Sequence, residues 1–303
     1  MIFASDLDRT LIYSSKFTGD YPAPVKAVET GDYYSYMTAA AAELLKDLAG
    51  KVLFVPCTTR TMEQYRRIGF LQKEVPCRYA VTSNGANILV NGVPDTAYRA
   101  GIMRDMAGDC AAGPDILKVF GRLSGAGFWS APMRHADEAF YYCIVERDKV
   151  PLQELADFSN WAGKQNWHVS LQGRKLYLVP RVVNKWSALQ RVVRMAGDHR
   201  VVAAGDSLLD LPLVQGADYA ISPAHGELFE QYSGSHLCAC NDGQSNPKHG
   251  LYQQAQWVFT KSSGIAAGEE IIRTVLQLAH GFLWRKSRHV NLFESDKGFC
   301  RDT

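Results

Sequence analysis

The chain has 303 residues, 47% of them hydrophobic, with a formal net charge of +2. This is enough for a substantial core, divided by expectation into two domains, and the even charge balance excludes a global field for nucleic acid or anionic membrane. No apolar run reaches the ~18 residues of a membrane span, the opening strand leaves no room for a signal peptide before Asp6, and seven scattered cysteines suit reduced thiols, so the expected compartment is the cytoplasm. Cys238 and Cys240 form a close pair, but with no second Cys or His pair nearby they make a poor zinc site.

Taken in chain order, Met1-Ile2-Phe3-Ala4 reads as a buried strand that breaks into Asp6-Leu7-Asp8-Arg9-Thr10. Side chains alternate along extended backbone, so Asp6 and Asp8 leave on one face and can converge on one metal ion and one phosphorus. Asp6 is placed to attack and Asp8 to handle protons; the bland alternative for such a pair is a solvated turn. Tyr36 to Leu48 reads as an Ala/Leu-rich helix stopped near Gly50. The apolar run Lys51 to Cys57 leads into Thr58-Thr59-Arg60-Thr61, and Arg78 to Val81 leads into Thr82-Ser83-Asn84-Gly85-Ala86. From about Asn87 to Leu178 the texture changes: Phe140 to Val145 and Lys175 to Val179 read as strands and Gln153 to Gln165 as a helix, an α+β insert. Lys185 follows in Val183-Asn184-Lys185-Trp186-Ser187-Ala188-Leu189, and the strand Arg200 to Ala204 ends in Gly205-Asp206-Ser207-Leu208-Leu209-Asp210. Gly264 to Leu278 reads as a closing helix, followed beyond Leu283 by a basic tail that is loosely ordered or a packing arm. Strands ending at Ala4, Cys57, Val81 and Ala204, with helices between them, predict a parallel α/β sheet.

Four of these segments occur in the order of the haloacid dehalogenase (HAD) superfamily signatures. D-x-D-x-T is followed by a Thr after the next strand, a Lys at a helix start, and an acidic pair after a later strand. Over roughly residues 1 to 275 the chain resembles the C2-capped members, subclass IIB, which include the Cof-like and the sucrose-phosphate and mannosyl-3-phosphoglycerate phosphatases. The resemblance implies a Rossmann-like parallel-sheet core formed by residues 1–86 and 179–283, an inserted α+β cap of the C2 type over 87–178, and a tail over 284–303. It implies that Asp6 is the nucleophile and Asp8 the acid and base. Mg2+ would be held by the Asp6 carboxylate, the Asp8 backbone carbonyl and Asp206. Thr58, Lys185 and the N–H groups of the Leu7 to Arg9 loop would bind the phosphoryl oxygens, and Asp210 would orient Lys185 or a metal-bound water.

The chain departs from the pattern at Arg9, where many members have Gly, at Leu209, where Asn is usual, and at Thr59, where T-G-R is common. Val55-Pro56-Cys57-Thr58-Thr59-Arg60-Thr61 is more similar to the P-x-T-S-[KR]-T form of the mannosyl-3-phosphoglycerate phosphatases, which points to sugar-linked phosphates. The expected activity is Mg2+-dependent hydrolysis of a small phosphorylated metabolite through an aspartyl-phosphate, by a monomer or weak homodimer that needs neither nucleic acid nor membrane. A phosphomutase, a nucleotide or cofactor phosphatase, and a non-catalytic phospholigand-binding module are the alternatives. Arg9, Asn84 and Arg174 are the substrate candidates, with Arg134, His135 and Lys175 as further polar residues of the insert. Taken singly, each site residue also has an ordinary reading: Asp206 and Thr10 as helix caps, Lys185 as a solvated helix residue, Thr58 as a hydroxyl bonded to its own backbone.

Overall fold

The computed structural model describes residues 1–18, 21–22, 24–29, 34–75, 77–123, 127–234 and 256–294, the last of these beyond Gly281 as helix backbone only. Cys238, Cys240 and residues 295–303 of the predicted tail lie outside the described residues. Five parallel strands form the central sheet, in the order Gln256–Phe259, Tyr219–Ser222, Val201–Ala204, Ile2–Ser5, Leu53–Pro56. The opening strand is wholly buried because it lies between two others and is covered on both faces. Alternation divides its side chains. Phe3 and Phe54 enter one core with Ala41, Leu45 and Leu48 of the helix Ala39–Ala49 and with Ile271, Ile272 and Val275 of the closing helix. Ile2, Ala4 and Val55 enter another with Ala188, Leu189 and Val192 of the helix Lys185–Ala196.

Several predicted elements are corrected. Tyr36 and Met37 are not helical: Ser35–Thr38 is a strand paired with Tyr13–Ser14 and Val25–Ala27, and the helix starts only at Ala39, where Thr38 accepts a hydrogen bond from the Ala41 N–H. The strand Tyr79–Thr82 belongs to an antiparallel sheet with Asn87–Val90 and Val93–Pro94, touching the parallel sheet through the Cys57–Val81 bridge. The closing helix, Ile265–Glu294, runs through the first part of the predicted tail.

Beyond the helix Thr96–Asp109 the chain builds a second core. Its antiparallel sheet has the order Trp167–Gln172, Lys175–Pro180, Phe140–Ile144, Arg134–Ala136. Helices Gly113–Phe120 and Leu152–Lys164 cover one face, packing Ile116, Phe120, Leu155 and Phe158 on Cys143, Leu176 and Leu178. The opposite face carries Tyr142 and Tyr177, whose rings lie 5.9 Å apart. Tyr177 reaches the central core, its hydroxyl facing Thr59. The turn between the strands Arg134–Ala136 and Phe140–Ile144 also docks there: the Asp137 carboxylate accepts from the Met62 N–H at 3.0 Å, from the Asn87 amide at 3.2 Å and from the Ser83 hydroxyl.

Candidate active site

The carboxyl ends of the strands Ile2–Ser5, Leu53–Pro56 and Val201–Ala204 deliver Asp6, Thr58 and Asp206 to one edge of the sheet, where open α/β sheets bind ligands. The central pair is Asp6 and Lys185. Asn184 caps the helix Lys185–Ala196 by accepting from the Ser187 N–H, which sets Lys185 at the first helical position. Lys185 is fully buried, and its ammonium donates to Asp6 Oδ1 at 2.6 Å and to Asp210 Oδ1 at 2.5 Å. A solvated lysine is thereby excluded. Close approach at this corner depends on Gly85, whose φ is +103° and where a Cβ would stand 2.2 Å from the Asn184 carbonyl oxygen.

The other acidic residues lie beside this pair. Asp6, Asp206 and Asp210 are buried and offer carboxylate oxygens within 4.8 Å of one another. Asp210 does not stand one α-helical turn beyond Asp206; it closes the single 3-10 turn Leu208–Asp210, and its second oxygen accepts from the Ser207 N–H and hydroxyl at 3.1 and 2.8 Å. Its carboxylate is thus already engaged by Lys185 and Ser207. Asp206 caps no helix. It is held by the Gly226 turn, φ +88°, where a Cβ would lie 2.6 Å from the Asp206 carbonyl oxygen. Thr10 likewise is no cap: its hydroxyl donates to Asp6 Oδ2 at 3.2 Å.

The electrostatics follow from burial and charge. Burial pushes the Asp6 carboxyl up to about 7, opposed by Lys185 and reinforced by Asp210 and Asp8. Asp206 is raised by burial and by the charges of Asp6 and Asp210. Burial alone lowers the proton affinity of Lys185, but the two carboxylates override it and hold the ammonium protonated. Three carboxylates with one ammonium leave an excess of negative charge, and with Asp210 engaged, Asp6 and Asp206 present oxygens suited to a hard cation. The donor set therefore fits Mg2+.

Asp8 is placed differently from Asp6. The Arg60 guanidinium holds both its oxygens, Nε to Oδ2 and Nη2 to Oδ1, each at 2.8 Å. Burial works to raise the Asp8 carboxyl, but Arg60 prevails and lowers it to about 2. Arg60 is fixed in turn by Glu29, 2.9 Å from Nη1, and by the Ser35 hydroxyl at 3.1 Å, which itself donates to Glu29 at 2.8 Å. Arg60, Glu29 and Ser35 were not assigned from the sequence. The Thr58-Thr59-Arg60-Thr61 run draws attention to the arginine, but Glu29 and Ser35 come from the Val25–Ala27/Ser35–Thr38 region, which carries no motif.

Thr58 is fully buried, and its hydroxyl accepts from the Arg60 N–H at 3.1 Å, consistent with a hydroxyl at a strand end. The Arg9 N–H, expected to face phosphate, donates instead to the Ile12 carbonyl at 2.8 Å. The Arg9 side chain is about one-third exposed, with Nε 3.6 Å from Asp206 Oδ2. Asn84 lies behind the site. Its backbone N–H donates to the Thr58 carbonyl at 2.9 Å, its amide donates to the Val183 carbonyl at 3.0 Å, and its Oδ1 is buried without a partner among the described residues, beside a cavity of about 310 Å3 that His168 and Pro212 also line. Arg174 sits exposed at a hairpin tip. Its neighbour Lys175 is the cation of that tip whose charge acts on Asp8. Arg134 stacks 5.9 Å over Tyr142, and His135 lies 4.3 Å from the Tyr141 ring on the helix-covered side.

In sequence the chain matches no family model and no curated protein. In structure it is similar to the sucrose-phosphatase of Synechocystis sp., solved with sucrose and phosphate, at 14% identity over 90% of this chain and 97% of that one, TM-score 0.61. It is also similar to a protein of Thermoplasma acidophilum, at 12% identity over 90% and 96% of the two chains, TM-score 0.54. A phosphatase of the HAD superfamily from Bacteroides thetaiotaomicron gives a weaker likeness, 11% identity over 91% and 94%, TM-score 0.49. Identities this low speak for architecture alone. With its parallel central sheet and added antiparallel sheets, the chain has the fold of the Synechocystis sucrose-phosphatase.

Proposed function

We propose that the chain is a Mg2+-dependent phosphatase of a small phosphomonoester, a sugar phosphate or related metabolite, acting through an aspartyl-phosphate. The observation that carries the reading is the buried cluster in which Lys185 joins Asp6 to Asp210 beside Asp206, at the carboxyl ends of the central strands. A phosphate monoester dianion repels nucleophiles, so its cleavage depends on neutralisation and in-line positioning. Mg2+, held by the Asp6 carboxylate, the Asp8 backbone carbonyl and Asp206, would supply the positive charge that lets a carboxylate approach the phosphate.

The remaining steps belong to side chains. An Asp6 oxygen forms a bond to phosphorus as the ester oxygen leaves, taking a proton from Asp8; water then attacks the acyl phosphate, returns a proton to Asp8 and frees Asp6 and inorganic phosphate. Lys185 and Thr58 bind phosphoryl oxygens, and Asp210 keeps the ammonium aimed at Asp6. Gripped by Arg60, Asp8 is a poor proton donor and a poor base. Release from that fork restores an ordinary carboxyl for both steps, which makes Arg60 a positioning residue.

The segment 87–178 is proposed as the cap, rooted in the hairpin Asn87–Val90 and Val93–Pro94. Its face bearing Lys175, Tyr177 and Tyr142 would meet the part of the substrate beyond the phosphate. An aromatic pair flanked by the cations Lys175 and Arg134 suits a polyhydroxylated or anionic leaving group. The test is release of inorganic phosphate from p-nitrophenyl phosphate and a panel of phosphorylated sugars. Turnover with Mg2+ that stops in EDTA is expected; ligand binding without turnover under any metal condition would instead establish a binding module.

A further inference from the structure

Arg9 occupies an unusual position. Its φ of +64° lies in the left-handed region that favours glycine, and an arginine held there needs its surroundings to fix it. The surroundings do so at both ends of the residue. The Arg9 carbonyl accepts from His225 Nε2–H at 2.8 Å, while His225 Nδ1 accepts from the Gly264 N–H at 3.1 Å, so the imidazole is a neutral, doubly anchored strut. The Arg9 N–H is taken by Ile12. The side chain then runs between Phe17, whose ring centre lies 5.4 Å from the guanidinium carbon, and the acidic cluster, where Nε is buried, makes no hydrogen bond among the described residues and stops 3.6 Å from Asp206 Oδ2. Arg9 is thus aimed at Asp206 without being satisfied by it.

The charges explain the placement. Among the described residues, Asp6, Asp206 and Asp210 face one ammonium, and Asp206 has no hydrogen-bonded cation of its own. We propose that Arg9 is a built-in counter-cation of the metal site: it neutralises Asp206 when no divalent cation is bound and opposes the cation's arrival at the same carboxylate. The inference rests on the metal reading given above and adds that this chain binds Mg2+ more weakly than its carboxylates alone would. Like charges this close to one carboxylate repel, and bringing a dication into the field of a fixed cation weakens its binding about tenfold even when screened as in water.

Isothermal titration of the metal-free chain with Mg2+ tests this, using wild type, Arg9→Gln, Arg9→Lys and Asp206→Asn. Arg9→Gln removes the charge but keeps a Cβ at the same backbone position, and should bind Mg2+ about tenfold more tightly. Arg9→Lys keeps the charge and should stay within about twofold of wild type. The metal-free thermal midpoint of Arg9→Gln should fall below that of wild type, with Mg2+ raising it further than in wild type. Equal or weaker Mg2+ binding by Arg9→Gln overturns the proposal, as does tightening of the same size in Arg9→Lys. Mg2+ binding that is absent from wild type and Arg9→Gln alike overturns the metal reading and the proposal together, whereas binding lost only in Asp206→Asn confirms that the measured site is the one Arg9 faces.

Discussion

At Lys185 one ammonium is asked to satisfy two buried carboxylates, at 2.6 and 2.5 Å, with almost no contact with solvent. Removing one partner of such a pair leaves uncompensated charge, so Lys185→Ala should lower the unfolding free energy of the metal-free protein by about 3 kcal/mol in denaturant titrations, besides abolishing turnover. A loss under about 1 kcal/mol would mean that the carboxylates take up protons in place of the lost cation. Asp6→Asn keeps an oxygen for Lys185 yet cannot attack phosphorus, so it should fold, bind ligand and be inactive; wild-type turnover in this variant rules out the nucleophile assignment. Arg60 and Asp8 make a different prediction. Arg60→Ala frees Asp8 but strands the buried Glu29, so folding suffers, whereas Arg60→Lys keeps a charge beside Glu29 while losing the two-pronged hold on Asp8. Arg60→Lys should therefore fold and show an altered kcat at nearly unchanged KM. An unaltered kcat would show that the fork does not set the position of Asp8.

Among the elements, the turn carrying Asp137 bears most on the proposed cap. Asp137 and Glu138 both have positive φ, 45° and 55°, and the turn aims one carboxylate at Met62 N, Asn87 and Ser83 together. It ties the antiparallel sheet to the segment that follows Thr58 and Arg60. Asp137→Ala should increase amide hydrogen exchange over Arg134–Ala136 and Met62–Arg66 while leaving the central strands protected. No change in exchange there would mean that Tyr142, Tyr177 and their neighbours hold the sheet in place without it. Elements are legible in the sequence where burial is two-sided: Ile2–Ser5 and Val201–Ala204 stand out as apolar runs, and the helix from Lys185 is indicated by the family resemblance of its opening segment. Short paired segments are not. Tyr36 to Thr38 read as the start of the following helix, because the identity of Ser35–Thr38 as a strand comes from partners at Tyr13–Ser14 and Val25–Ala27, distant in sequence and without a pattern of their own. The same long-range character hides Glu29 and Ser35 behind Arg60, which turns Asp8 away from the acidic cluster that alternation alone would have it share with Asp6, while Asp6, Thr58 and Asp206 follow strand ends in the motif order.

For the molecule as a whole, the acidic cluster links stability to pH and to cation. Burial raises the Asp6 and Asp206 carboxyls in the folded chain, Asp6 to about 7, so the protonated forms favour folding. The Asp6 contribution is complete below the ordinary carboxylate range and is lost as pH rises through about 7, and that of Asp206 has the same sign. Asp8 has the opposite sign: burial alone would raise it, but Arg60 lowers it to about 2, so its contribution is present above the ordinary range and lost as pH falls toward 2. In EDTA the thermal midpoint should therefore decline between about pH 5 and pH 7.5, and Mg2+ should reverse the decline at the upper end. A midpoint that rises over this range, or ignores Mg2+, contradicts the charge arrangement described. Among the described residues no helix is long and apolar enough to cross a membrane. The central claim is that Asp6 becomes covalently phosphorylated, and rapid-quench labelling of the Asp8→Asn variant in Mg2+ with 32P-labelled p-nitrophenyl phosphate, whose leaving group needs no proton from Asp8, tests it most directly. The account predicts acyl-phosphate label on the peptide containing Asp6, formed within one turnover, accumulating because no base activates water, and absent from Asp6→Asn. Phosphate release by wild type with no label on Asp6 in either wild type or Asp8→Asn would contradict it and establish direct attack by water.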